Sequence, residues 1–322
     1  MDVLILNDTD LNGSHFGCYK VMSTIINALG QRGIKYDTVK VATKWWSNSE
    51  ISSKIVSSKL VIINGEGTLH HGRKKGKWLL DAAKLAKDSG AKVALINALW
   101  QENPSSWADI TSSFDLLQCR DSMSQSHLKQ QTNRKVMFFG DLSMIDPWPN
   151  SPNEYRLGML VSDSVSKTQS EKLLRFAGKN EATMMSITTT KAKLRWLSAI
   201  CLGPDALAGY RNQKVAKSLS EYMNALGMAE NVVTGRFHTA CMALLTKTPF
   251  LALNSNSWKI EALLKDVGLN LKRRNANIRD FGTQNLLLKK FSAREIENID
   301  HNLKKWRLSA QNMFDELASL AL

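Results

Sequence analysis

Short runs of consecutive Val, Ile and Leu recur along the chain, each closed by a polar or glycine-containing turn and followed by a longer stretch of helical spacing. A run with no alternating polar residue is buried on both faces, and strands of that kind belong to parallel sheets covered by helices. The pattern predicts strands at Val3 to Asn7, Tyr36 to Val41, Leu60 to Asn64, Lys92 to Asn97, Asp115 to Cys119 and Lys135 to Phe139, with helices over Cys18 to Gln31, Lys77 to Ser89 and Ser122 to Gln131. It then breaks, because Pro147, Pro149 and Pro152, half of the six prolines, fall close together and mark a linker over 146–154. A second alternation follows, with strands at Arg156 to Ser162, Ala182 to Ile187, Asn231 to Thr234 and Pro249 to Asn254. Its helices are expected over Lys167 to Gly178, Arg211 to Leu226, Phe237 to Thr246 and Ser257 to Val267, and a long helical pattern from Ala293 to Leu320 closes the chain. The expected fold is α/β: two Rossmann-like domains, residues 1–145 and 155–322, facing across a cleft, with ligands at the C-terminal ends of the strands.

The 322 residues give each domain enough chain for its own core, and 43% apolar against 22% charged residues is an ordinary globular balance. No apolar run is long enough for a bilayer span, and Asp2 stands where a secretory signal carries Lys or Arg. Cys18, Cys119, Cys201 and Cys241 are scattered with no Cys-x-x-Cys pair, so neither a disulfide framework nor a zinc site is expected, and the thiols fit a reducing, cytoplasmic setting. The sequons at Asn7 and Asn12 carry no glycosylation meaning there. Lys and Arg exceed Asp and Glu by 14 (43 against 29), which favours an anionic ligand or surface. Part of the excess falls at Lys272-Arg273-Arg274, Lys289-Lys290 and Lys304-Lys305-Trp306-Arg307 at helical spacing. Solvated helix faces explain it better than a nucleic-acid stripe, since no nucleic-acid motif accompanies it, so no nucleic acid is expected as a partner. Peripheral contact with an anionic membrane leaflet is the other use for such charge.

Several predicted strand ends carry residue types with chemistry. At Val233-Thr234-Gly235-Arg236-Phe237-His238-Thr239-Ala240 a strand runs through a glycine turn into an apolar helix, where backbone N–H groups and the helix dipole favour an anion. Arg236 suits a carboxylate or phosphate gripped bidentately, with Gly235 and Thr239 beside it, and His238 can donate to the same anion or move a proton. The plain alternative is a surface ion pair for Arg236 and a backbone-satisfied His238. At Asn64-Gly65-Glu66-Gly67-Thr68-Leu69-His70-His71 a buried strand empties into a turn that can cradle an anion or hold Glu66 as a general base against a hydroxyl. Asn64, Gly65, Gly67, Thr68 and His70 are grouped with it, the alternative being an ordinary βα turn. Adjacent His70 and His71 point to different sides with no acidic cluster, so no metal site is expected. In the first loop, Asp8 and His15 are candidates for acid, base or sugar-hydroxyl contacts, against local Asx turns at Asp8 and Asn12. Arg120 follows another predicted strand, with Asp121 or Ser122 placed to cap the next helix.

These segments, in this order, resemble the polysaccharide pyruvyl transferase family. The likeness rests on the glycine loop Asn64 to Thr68, Arg120-Asp121-Ser122-Met123-Ser124, Gly140-Asp141, Gly235-Arg236-Phe237-His238, Thr248-Pro249-Phe250 and Lys259, and its most specific part is Gly-Arg-x-His. It implies a fold like that of two-domain GT-B glycosyltransferases and transfer of a pyruvyl group from phosphoenolpyruvate to two hydroxyls of a sugar, as a cyclic ketal with release of phosphate. It also implies that Arg236 and His238 hold the donor, phosphoenolpyruvate being a substrate and no cofactor being required. A lipid-linked or polymeric sugar of a bacterial capsule, exopolysaccharide or cell-wall precursor is the implied acceptor, met at the inner face of the membrane. The chain departs from the family pattern at Asn64-Gly65-Glu66-Gly67 and at Asn12-Gly13-Ser14-His15. A glycosyltransferase using a CMP- or UDP-sugar and a non-enzymatic polyanion-binding module are the competing readings.

Overall fold

The computed structural model describes residues 2–10, 13–40, 44–149, 155–189, 196–277 and 290–322. They form two compact units, one of Met1–Asp10, Val21–Ile145 and Leu303–Leu322, the other of Leu11–Lys20 and Asp146–Asn302. Of the expected linker, residues 150–154 lie outside the described residues, as do Val41, Asn12 and Lys289.

The first unit is built on six parallel strands: β1 (Val3–Asp8), β2 (Tyr36–Lys40), β3 (Leu60–Asn64), β4 (Lys92–Ala98), β5 (Leu116–Cys119) and β6 (Met137–Phe138), in the order β2-β1-β3-β4-β5-β6. Every residue of β1, β3 and β5 is buried, as their unbroken apolar runs require. Leu4, Val61, Ile63, Val93 and Leu95 meet Trp100, Trp107 and Phe114 in one core. The Trp100 indole satisfies its donor by a 2.7 Å bond to Gln131.

The second unit has its own six parallel strands: β7 (Met159–Ser164), β8 (Thr183–Met185), β9 (Gln213–Lys214), β10 (Asn231–Gly235), β11 (Phe250–Leu253) and β12 (Asn275–Ala276), in the order β12-β11-β10-β7-β8-β9. That is the doubly wound order in which the chain moves outward from β7 on one side and from β10 on the other. The single helix expected over Arg211 to Leu226 is two, Pro204–Arg211 and Leu219–Met228, with β9 between them. Pro204 begins the first, and Ser218 caps the second by accepting from Glu221 N–H at 3.1 Å. The short helices Ser49–Ser57 and Ser105–Ser112 carry too few apolar residues to stand out in the pattern.

A division by chain order fails at two places. The helix Ala293–Ala321 belongs to the first unit from Leu303 onward, because Trp306, Ala310, Met313 and Leu317 form a buried apolar stripe there. Trp306 lies over Gly140, where a Cβ would collide with its ring, and edge-on to Phe138 at 6.3 Å. In the opposite sense, Leu11–Lys20 belongs to the second unit. There Phe16 N–H donates to Ile187 C=O at 3.1 Å and Thr189 N–H to Ser14 C=O at 3.0 Å, an antiparallel bridge centred on His15 and Thr188.

The late basic cluster is also not uniformly solvated. Lys272, Arg273, Lys304 and Lys305 are exposed, but Arg274 is buried, with its guanidinium 3.1 Å from Glu295 and 4.5 Å from the Phe291 ring centre. Among the described residues no helix is long and apolar enough to cross a membrane.

Gly140→Ala is expected to destabilise the chain by about 1–3 kcal/mol through overpacking, and Trp306→Ala by about 3–5 kcal/mol through the cavity it leaves. If the ring is the obstacle, denaturant melts will show Gly140→Ala costing far less in the Trp306→Ala background than alone; equal costs in the two backgrounds refute the contact.

Candidate active site

In a sheet wound outward in two directions, the strand ends at the reversal are left uncovered by either set of connections, and ligands bind there. In the second unit the reversal lies between β7 and β10, whose last residues are Ser164 and Gly235. These two positions pair in register, so closely that a Cβ on Gly235 would collide with the Ser164 side chain. Glycine is required there by strand spacing rather than by an unusual backbone angle.

The pairing sets Asp163 against Arg236. Arg236 donates from Nε to Asp163 Oδ1 at 3.1 Å and from Nη2 to Oδ2 at 2.5 Å, a bidentate ion pair. Ser186, just past β8, donates to the same Oδ1 at 3.1 Å, and the Arg236 backbone N–H donates to Thr234 Oγ1 at 2.9 Å. Asp163 takes the Nε edge of the guanidinium, and Nη1 takes no part in this pair. Arg236 is the N-cap of the helix Phe237–Leu245 and makes no side-chain cap bond, so the positive end of that helix adds to its charge.

His238 lies in the first turn of this helix, buried, with its ring 5.6 Å from His15 and steeply inclined to it at 74°. The first loop reaches His238 because residue 17 is glycine: any Cβ there would overlap the His238 imidazole. Cys18 N–H donates to His15 Nδ1 at 3.3 Å, which places the proton of the neutral ring on Nε2. Burial, with the neighbouring His238 and Arg236 charges, lowers the His15 pKa from 6.5 to about 3. His15 is therefore a neutral donor near pH 7. Below the site, Thr239 Oγ1 is 2.9 Å from Tyr222 OH, and Ser162 Oγ is 3.4 Å from both. Burial pushes the Tyr222 phenol well above its ordinary range, so it stays protonated.

The ligating atoms of His15, Cys18 and His238 all lie within 4.8 Å of one another, the one such trio among the described residues. The Arg236 charge acting on His15 disfavours a cation at this place and favours an anion.

Other expected site residues fall elsewhere. Thr239 is fully buried and its hydroxyl is engaged with Tyr222, so its side chain supports the helix start rather than meeting a ligand. Arg120 belongs to the first unit, buried in an ion pair with Asp141 at 3.2 Å, and Asp141 also holds Ser143 N–H at 2.9 Å. Arg120 and Asp141 thus brace the ends of β5 and β6. Asp8 accepts from Thr38 and from Asp10 N–H, each at 3.0 Å, and pairs with Lys40. His70 is buried, joined to Gln101 by a backbone bridge and packed on His71. Asp121 caps the helix Ser122–Thr132 as expected from sequence, accepting from Ser124 N–H at 2.7 Å.

A second polar cluster marks the reversal point of the first sheet, between β1 and β3. Glu66 Oε2 accepts from Thr9 Oγ1 at 2.5 Å and from Asn64 Nδ2 at 3.4 Å, and Asn7 Nδ2 donates to Asn64 C=O at 2.6 Å and Thr68 Oγ1 at 3.1 Å. Asn7 and Glu66 both adopt positive φ, 67° and 33°, which concentrates backbone strain at these strand ends. Gly65 packs on Ala98, whereas Gly67 is exposed and a Cβ added there would meet open space. Sequence reading missed Asp163, Ser186 and Gly17. A carboxylate near the end of β7, far along the chain from any glycine motif, leaves no local signal, while Gly17 stood in plain view in the first loop.

The two parallel six-stranded sheets define an α/β fold of the GT-B type. It is similar to the UDP-GlcNAc 2-epimerase of Neisseria meningitidis solved with UDP-GlcNAc (13% identity, 98% of this chain and 99% of that one, TM-score 0.57). It is also similar to a glycosyltransferase from Rickettsia africae (10% identity, 98% of each chain, TM-score 0.54) and to the UDP-GlcNAc 2-epimerase of Methanocaldococcus jannaschii (12% identity, 96% and 99%, TM-score 0.54). No curated protein matches the chain in sequence. Residues 15–257 match the sequence model of the polysaccharide pyruvyl transferases, and the chain belongs to that family.

Two outcomes test this geometry. Asp163→Asn removes the counter-charge of a half-buried guanidinium and is expected to cost about 1–3 kcal/mol in denaturant melts, with Ser186→Ala costing less; a neutral Asp163→Asn contradicts the pairing. As pH falls from 6.5 toward about 3, His15 takes up a proton in the unfolded chain but not in the folded one. The unfolded state then binds more protons, and stability drops with pH by up to about 1.4 kcal/mol per unit. His15→Gln should flatten that part of the Tm profile, and an unaltered slope would contradict a buried neutral ring.

Proposed function

We propose that the chain transfers a pyruvyl group from phosphoenolpyruvate to a sugar of a bacterial surface polysaccharide or cell-wall precursor, in the cytoplasm. The observation that carries this reading is the Arg236 guanidinium, held by Asp163 at the reversal point of the second sheet, with His238 in the first turn of the helix that starts there. A donor with a carboxylate and a phosphate calls for such a concentration of positive charge, and the family membership supports this choice of donor.

In the proposed reaction one sugar hydroxyl adds to C2 of the donor while C3 takes up a proton, turning the methylene into a methyl group. A second hydroxyl then displaces phosphate from C2 with loss of its proton, leaving a cyclic ketal. Arg236 holds the donor anion, and His15 donates to it from Nε2 as a neutral ring. His238 is left as the group that moves the proton to C3. In the first unit, Glu66 with Asn64, Thr68 and Thr9 offers acceptors and donors suited to sugar hydroxyls.

Thermal shift with phosphoenolpyruvate, CMP- and UDP-sugars as the panel tests the donor. Phosphoenolpyruvate is expected to raise Tm in the wild type and in Glu66→Gln, and to lose at least about 90% of that effect in Arg236→Ala, as loss of a charge-assisted bidentate contact implies. Phosphate release with a cell-wall or capsule precursor should fall with it. Stabilisation by a nucleotide sugar and indifference to phosphoenolpyruvate would overturn the reading in favour of glycosyl transfer.

A further inference from the structure

In the first unit, the helix Lys74–Asp88 opens with an arrangement that is unfavourable in isolation. Its N-cap is Arg73, which makes no side-chain cap bond, and its first residues are Lys74, Lys75, Gly76 and Lys77, with no acid in the first turn. The positive end of a helix dipole normally attracts Asp or Glu, so four cations there repel both the dipole and one another. Lys77 is partly compensated by Asp81, one turn on. Arg73, Lys74, Lys75 and Lys77 are exposed, as is Lys44 on the approach to Trp46.

The next residue of the helix, Trp78, lies 5.0 Å from Trp46 in an edge-to-face pair inclined at 74°, and Trp46 is 48% exposed. Trp46 sits in a single 3-10 turn, Trp45–Ser47, ahead of the helix Ser49–Ser57, so the indole is displayed at a loop rather than drawn into the core. The patch therefore joins an indole pair, its outer ring exposed, to a rim of five cations. Indole rings favour the boundary between headgroups and acyl chains, and Lys and Arg favour anionic headgroups.

We propose that this face, formed by Trp46 and Trp78 with Lys44, Arg73, Lys74 and Lys75, docks on an anionic phospholipid bilayer. Charge complementarity decides the class of surface, and the indole pair decides between lipid and nucleic acid. In an edge-to-face pair one ring's face is covered by the other's edge, which makes a compact apolar wedge rather than an open platform for stacking bases. The cations next to the wedge then meet phosphate headgroups, and the repulsion at the start of the helix is relieved on contact.

Co-sedimentation of the full chain with phosphatidylcholine vesicles, with and without phosphatidylglycerol, tests the assignment. Binding is expected only to the phosphatidylglycerol vesicles, weakening with added salt. It should fall at least tenfold in Lys74→Ala/Lys75→Ala and in Trp46→Ser, while Lys304→Ala/Lys305→Ala, on the C-terminal helix, binds like the wild type. The same variants should keep their response to phosphoenolpyruvate, so a failure here is separable from a failure of the donor assignment. No binding by the wild type, equal binding by the Lys74, Lys75 and Trp46 variants, loss confined to the Lys304 and Lys305 variant, or binding to single-stranded RNA in place of vesicles would overturn it.

Discussion

The parallel pairing of β7 with β10 is the constraint on which the second unit's chemistry rests. It places Asp163 and Ser164 at the end of one strand beside Gly235 and Arg236 at the end of the other. Strand spacing fixes glycine at position 235, and the same closeness lets Asp163 take Arg236 by two hydrogen bonds. A guanidinium on a flexible stem is thereby ordered before any ligand arrives, and ordering in advance is what lets a charged side chain grip an anion without a further entropy cost. Ser186 and the Thr234 hydroxyl extend the brace, one to the carboxylate and the other to the arginine backbone.

The first loop depends on that frame. Residues 14–16 join 187–189 by backbone bonds, and Gly17 rests on His238, so His15 meets His238 although they stand far apart in the chain. Two imidazoles so close, in partial burial and beside an arginine, cannot both carry charge cheaply, and it is His15 that gives up its proton. The arrangement sets two similar side chains apart: His15 is a neutral ring near pH 7, and His238 stands in the first turn of the helix Phe237–Leu245.

Much of this was legible in the residues. Unbroken apolar runs gave away both parallel sheets, since strands covered on both faces have no polar positions to alternate. Gly235-Arg236-Phe237-His238 stood out because a glycine at a strand end before an apolar helix brings backbone N–H groups and a helix dipole together. Position after a strand does not by itself say what a polar side chain meets. Arg120 pairs with Asp141, and Asp8 with Thr38 and Lys40. A buried polar group must be satisfied, and which partner satisfies it is not written locally.

The sequence by itself determined the class of the fold and the two alternations of strand and helix, because both follow from residue types over a few turns of chain. Tertiary structure alone decided that Asp163 holds Arg236, that His15 belongs with His238 rather than with Asp8, and that the chain's last turns from Leu303 pack with its first half. These are contacts between residues distant in the chain. They are set by strand order and by the space a missing Cβ leaves, neither of which any short stretch of sequence can express.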